Sequence, residues 1–325
     1  MKNFFKYSFI IIINYVLITT IVFVFSFISL KNNIVYDSIW IKSIQKKLYH
    51  SGLRNIWHTS KNCAKFDSKL LYIPVIGKCK FSNPEFSTEL NFDINGRIHS
   101  EKRTIQNTEK LIAVLGDSVA MGWGVNDHET FAYHLEKKIK KKVLNLGVAS
   151  YGTIREIKRL KLNNYYNQVE TIIIQYHLND IYENQKLVFE KKYSLDEYEN
   201  KYQLNKFNYL KFVLRNFKKS FRLLFQDIKN KIFKAQDVQP HDFNIHLKLL
   251  NKIINAQFKD EEKKIIVLFI KEPKQKIINF DKNLIKNFNY LIIEMKKNDY
   301  FIIDDHPNKE GHLKIAKKLI KYLKN

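Results

Sequence analysis

The sequence predicts an α/β fold: a mostly parallel β-sheet with helices on both faces, preceded by one membrane-spanning helix. Three observations lead there. From residue 111 onward, short apolar runs alternate with stretches of helical periodicity. Those runs are continuous rather than alternating, as strands covered on both faces require. At the other end of the chain, "SFIIIINYVLITTIVFVFSFISL" (8–30) contains no charged residue.

Taken in order, the first element is that apolar run. At 1.5 Å rise per residue it reaches roughly 35 Å, enough to cross a bilayer with some tilt. A cleaved signal peptide has a shorter apolar region, about 7–15 residues, ending in small residues. This run is longer and has no A-x-A site, so residues 1–30 are expected to remain as an anchor. Lysines flank it on both sides (Lys2 and Lys6; Lys31, Lys42, Lys46 and Lys47), so charge asymmetry assigns no orientation.

Residues 31–105 read as a stalk, to about residue 60, and then a small β-rich lead-in. The lead-in holds the two cysteines of the chain, Cys63 and Cys79. Their spacing is not that of a zinc site, and no paired histidines lie near. In an oxidising compartment they would form a disulfide closing a loop of about 15 residues, worth about 3 kcal/mol in the chain-entropy model. That pairing places the body of the chain in the periplasm or outside the cell.

Residues 106–325 form the main domain. Strands are expected at 111–116, 142–147, 169–176, 263–270 and 300–304, and helices at 129–141, 153–166 and 309–323. Between about 181 and 250 the alternation is interrupted by a basic, aromatic insertion. Its segment 206–233 repeats apolar residues at helical spacing with lysine and arginine between them. Such a helix either lies on a membrane interface or packs on the domain with a solvated basic face.

The formal net charge is +24, and all but seven of the 56 basic residues are lysine, spread along most of the chain. No nucleic-acid-binding motif accompanies them. The charge is read as a solvated lysine-rich surface, able to sit against anionic lipid heads, with no nucleic-acid partner.

The chemistry is expected where the strands end, since sites in open α/β sheets form at the carboxyl ends. "GDSVAMGWG" (116–124) follows the first strand and holds three of the nine glycines. "NLGVASYGT" (145–153) follows the second, "HLND" (177–180) the third and "DDHPNKEGH" (304–312) the fifth. Serine, glycines, asparagine, aspartate and histidine thus converge on one edge. These are the parts of acyl transfer: a serine nucleophile needing a base, a base needing an orienting carboxylate, and preorganised donors for the oxyanion.

These four blocks resemble, in order and spacing, those of the SGNH or GDSL-type hydrolase superfamily, over about residues 110–323. The anchored layout, the cysteine pair and "CKFSNPEF" are similar to membrane-tethered bacterial members. The resemblance implies a flavodoxin-like, three-layer α/β/α SGNH hydrolase fold with a parallel sheet. It implies Ser118 as nucleophile and as an oxyanion donor through its N–H, His306 as base and Asn179 as a side-chain oxyanion donor. The second block is less regular: Ser150 stands where the family places its oxyanion glycine, with Gly147 and Gly152 as other candidates. His177 occupies a position that is usually glycine. The acid often lies three residues before the histidine, where this chain has Ile303. Asp304, two before, shares a face with His306 in an extended segment, whereas Asp305 points away.

Other roles are structural on this reading. Asp117 and Asp180 are expected to bond turn backbone, and His312 to pack or cap. Asp304, Asp305, His306 and His312 could suggest a metal, but further ligands at metal-like spacing are lacking, and no cofactor is implied. The expectation is therefore a serine esterase acting on an acyl ester, O-acetyl by analogy, of an envelope carbohydrate or lipid. Three other readings stand beside it. An O-acyltransferase would use the same residues, a non-catalytic envelope-binding protein would keep only the fold, and a basic membrane scaffold would act through 206–233.

Overall fold

The computed structural model describes residues 2–98, 105–186, 191–202, 209–232, 241–273, 275, 277–278 and 280–324. Parts of the expected insertion (187–190, 203–208 and 233–240) fall outside them.

Twelve strands occur among the described residues: β1 (Ala64–Asp67), β2 (Leu71–Pro74), β3 (Gly77–Asn83), β4 (Phe86–Asp93), β5 (Gly96–Arg97), β6 (Leu111–Gly116), β7 (Val143–Asn145), β8 (Val169–Tyr176), β9 (His241–Asp242), β10 (Lys264–Lys271), β11 (Ile277–Ile278) and β12 (Asn289–Glu294). The helices are α1 (Lys2–Lys31), α2 (Ile39–Leu48), α3 (Ser118–Met121), α4 (Phe131–Ile139), α5 (Thr153–Lys161), α6 (Ile181–Asn184), α7 (Leu195–Tyr202), α8 (Tyr209–Ile232), α9 (Asn244–Phe258) and α10 (Lys309–Lys324).

One eight-stranded sheet organises the molecule, in the order β12-β10-β8-β6-β7-β5-β4-β3. Its first five strands run parallel. Counted along the chain from β6, they follow the order 2-1-3-4-5 of flavodoxin-like sheets, with the switch point between β6 and β8. β6, β8 and β10 supply the period-two packing. Leu111, Ala113, Leu115, Ile172, Ile174 and Val267 face α5 and α9 on one side. Ile112, Val114, Ile173, Ile266 and Leu268 face α4 and α10 on the other. The result is the three-layer α/β/α arrangement.

Two features differ from the expectation. The sheet is mixed: the lead-in strands β3, β4 and β5 extend it antiparallel, joined through the Arg97–Asn145 pairing of β5 with β7. The fifth parallel strand is β12, and residues 300–304 form a loop with a single bridge, Tyr300 to Pro307. In that loop the N–H groups of Ile302, Ile303 and Asp304 donate to the Glu85 carboxylate rather than to a neighbouring strand.

Helix α1 is long and apolar enough to cross a membrane: Lys6–Lys31, 26 residues with a mean hydropathy of 2.5. Phe23 and Leu30 on it pack with Ile44 and Leu48 of α2, with Tyr49, with Phe212 of α8 and with Ile303. In α8, Phe212, Asn216 and Ser220 form a buried stripe, while Lys211, Arg215, Lys218, Lys219 and Arg222 are exposed.

Cys63 and Cys79 are joined by a disulfide, with Cα atoms 5.2 Å apart. It ties the β1–β2 hairpin to edge strand β3 in a buried cluster. Replacing both cysteines by alanine is expected to cost about 3 kcal/mol of unfolding free energy, measured as a lower denaturation midpoint.

Candidate active site

Strand β6 stops because Gly116 turns the backbone to φ +145°, where a Cβ would meet Ala120 Cβ at 2.6 Å and Gln175 Oε1 at 2.8 Å. Only glycine fits that approach. Asp117 then caps α3, its Oδ1 accepting from the Val119 N–H at 2.9 Å. Ser118 is therefore the first residue of a short helix at the carboxyl edge of the sheet, beside the β6/β8 switch point. Gly122 ends that helix at φ +86°.

His306 comes from the loop after β12. Its Nε2 lies 2.7 Å from Ser118 Oγ, and its Nδ1 is hydrogen-bonded to Asp304 Oδ1. The His306 ring stacks on Trp123 with centroids 4.8 Å apart and an 18° interplanar angle. The serine, histidine and aspartate form one continuous relay, in the geometry of a nucleophile, its base and an orienting acid.

Asp304 is buried and heavily bonded. Its Oδ2 accepts from Trp123 Nε1 at 3.1 Å and from the Tyr49 hydroxyl. Arg54 Nε stands 3.7 Å from the same oxygen. Burial alone would raise this carboxyl's pKa. The His306 ring beside it, their hydrogen bond, the Arg54 cation and the Tyr49 hydroxyl outweigh burial and hold it well below the usual carboxylate range. Asp305 turns the other way, pairing with Lys46 and with His50 at 3.2 Å.

A cavity of about 450 Å³ opens over Ser118 and His306, with Ser150, His177, Asn179 and Arg54 on its wall. Ser150 holds a left-handed conformation at φ +63°. That geometry is available to serine at a cost of order 1 kcal/mol. Among the described residues, no protein acceptor takes the N–H of Ser118, the N–H of Ser150 or the side-chain amide of Asn179.

Gly147 is different. Its N–H donates to Asn145 Oδ1 at 3.1 Å, and a Cβ there would lie 2.3 Å from the Met121 nitrogen. It is a close-packing glycine and does not line the cavity. Gly147 is therefore not the free oxyanion donor it was a candidate for, because its N–H is already taken by Asn145. Gly152 precedes α5, with Glu183 packed 2.8 Å from where its Cβ would be.

The remaining polar residues support the frame. Asp180 is fully buried; its Oδ2 accepts from Thr153 Oγ1 at 3.1 Å and from the His177 N–H. Burial, with Asp117 nearby, pushes its pKa well up. His312 is buried at the start of α10, stacked on Phe131 and accepting from that residue's N–H at 3.3 Å. Burial drives its pKa down to about 3, so it stays neutral.

Sequence reading did not single out Tyr49, Arg54 or Glu85, each of which contacts the acid loop. A signal existed for Arg54. In a chain that uses lysine almost throughout, an arginine marks a place where a planar, multi-donor cation is needed. Arg54, Arg97 and Arg155 all occupy such places.

No protein-family model matches the chain, and no curated protein matches it. Solved structures do. A family two carbohydrate esterase from Cellvibrio japonicus is similar with a TM-score of 0.38 and 14% identity, covering 67% of this chain and 61% of its own. A two-domain esterase active on acetylated mannans gives 0.39 and 10%, over 66% and 48%. A protein of the G-D-S-L family from Desulfitobacterium hafniense DCB-2 gives 0.33 and 12%, over 66% and 99%. The chain thus spans less than two thirds of the length of the first two. At these scores none of the likenesses bears on the chemistry, which rests on the chain's own residues.

Proposed function

We propose that the chain is a serine esterase that cleaves an O-acyl ester through an acyl–Ser118 intermediate. The observation that carries this is the 2.7 Å contact between His306 Nε2 and Ser118 Oγ, with Nδ1 held by Asp304. In the first step His306 takes the Ser118 proton as Oγ attacks the ester carbonyl carbon. Negative charge on the carbonyl oxygen is met by the N–H groups of Ser118 and Ser150 and the Asn179 amide. His306 then protonates the departing alcohol oxygen. Water, deprotonated by the same ring, releases the acid and restores Ser118.

From the sequence resemblance and the anchored layout we infer the substrate class: an O-acetyl ester of an envelope carbohydrate or lipid. The apolar α1 and the buried disulfide support an anchored protein whose domain lies in the periplasm or outside the cell.

The test uses p-nitrophenyl acetate and a fluorophosphonate probe. Wild type is expected to hydrolyse the ester and to be labelled once, on Ser118. Ser118→Ala should lose labelling and at least about 10³-fold in rate. Equal hydrolysis by wild type and Ser118→Ala would overturn the proposal.

A further inference from the structure

The stalk expected between the anchor and the domain does not stand apart from the reaction centre. After α2, residues 49–54 turn back over the loop that carries Asp304 and His306. Tyr49 gives its hydroxyl to Asp304 Oδ2. Arg54 places Nη2 3.1 Å from His306 Nδ1 and its guanidinium carbon 4.5 Å from the Trp123 ring centroid. Its Nε is buried without a hydrogen bond, 3.7 Å from Asp304 Oδ2. Around these contacts His50 Nε2 meets the Ile303 carbonyl at 3.1 Å, and Lys46 pairs with Asp305. Ile303 itself is buried among Phe23, Leu30, Ile44, Leu48 and Phe212.

We propose that Tyr49 and Arg54 are positioning residues of the hydrolytic centre, supplied by the membrane-proximal segment. The inference rests on the serine-esterase reading above. Asp304 has two oxygens and two tasks. Oδ1 must face His306, accepting from its Nδ1 and from its backbone N–H at 3.1 Å. Oδ2 must be held, or the carboxylate rotates and the ring loses its aim at Ser118. Trp123 supplies one donor to Oδ2; Tyr49 supplies a second, and Arg54 supplies charge.

Arg54 also closes a stack. The guanidinium lies against Trp123, and Trp123 lies against His306. Because His306 Nδ1 donates its N–H to Asp304, Arg54 makes no hydrogen bond to that atom and acts through the Trp123 stack and its charge beside Asp304. A planar cation suits this role, because it can stack and direct N–H groups at a carboxylate together. Lysine offers a point charge with no plane.

The experiment uses the full chain in detergent, with p-nitrophenyl acetate as the probe substrate and Ser118→Ala as background. Tyr49→Phe keeps the ring in its apolar cluster and removes only the hydroxyl. Arg54→Ala removes the cation, and Arg54→Lys restores charge without the plane. Misplacing the relay is expected to lower kcat by about 10- to 100-fold in Arg54→Ala, with KM nearly unchanged. Tyr49→Phe should lose less, and Arg54→Lys should recover only part of the loss. Added guanidinium ion should restore part of the Arg54→Ala kcat, and methylammonium should not.

Wild-type kcat in both Tyr49→Phe and Arg54→Ala would overturn the inference. So would a loss in Arg54→Ala that appears in KM alone or that guanidinium leaves untouched. Failure of the esterase reading looks different: Ser118→Ala would then match wild type.

Discussion

His306→Ala is expected to lower kcat for a small ester by about 10⁴-fold or more, and the Ser118→Ala, His306→Ala double variant should be no slower than either single one. The reason is that the two side chains act as one unit. Without the ring, Ser118 keeps its proton and is a weak nucleophile; without the hydroxyl, the ring has nothing to deprotonate. A residual rate above the uncatalysed one should remain, since the oxyanion donors stay in place. The His306 side chain is largely buried and pairs with the buried Asp304, so rates are compared at a temperature well below the melting point of each variant. Multiplicative losses in the double variant would show that the residues act separately, against the relay.

The second large effect concerns stability. Arg97 on β5 is fully buried. Its Nε pairs with Asp127 at 2.6 Å. Its remaining nitrogens donate to the carbonyls of Met121, Gly122 and Val125 at 2.7–2.8 Å. This one side chain therefore binds the segment that follows the Ser118–Met121 helix to the lead-in strands. Arg97→Met keeps much of the volume but leaves those carbonyls and Asp127 without their donor. Removing one partner of a buried pair costs about 3–5 kcal/mol, a fall in melting temperature on the order of 10 °C. Trp123 lies within the held segment and stacks on His306, so activity should fall before unfolding begins. A variant melting within a degree or two of wild type would refute this account.

Much of the fold was legible because its signals are local. The run "LIAVLG" gives β6 and "VETIIIQY" gives β8, since a strand covered on both faces must be continuously apolar. Helices α4, α5 and α10 follow from apolar spacing, with ends a few residues from those expected. Ser118, Asn179 and His306 could be placed on one edge from the sequence because each sits where a strand or its loop ends, and in the structure all three line one cavity. Asp304 could be preferred over Asp305 because residues two apart share a face, and only Asp304 bonds to His306 in the structure.

The fifth strand was misplaced for a physical reason. "YFIID" is as apolar as "NYLIIE", and period alone ranks them equally. What separates them is Glu85, more than 200 residues earlier, whose carboxylate takes the N–H groups of 302–304 and removes them from the sheet. Gly147 misled in the same way: its place in the motif says nothing of Asn145, which occupies its N–H.

Composition and periodicity thus set the apolar helix, the layered sheet and the edge on which serine, asparagine and histidine meet. Folding alone decided that the lead-in strands join that sheet, and that Tyr49 and Arg54 close over Asp304. Tyr49 and Asp304 are 255 residues apart. A contact of that range leaves no periodic trace in the chain, because it depends on where two independently formed elements come to rest.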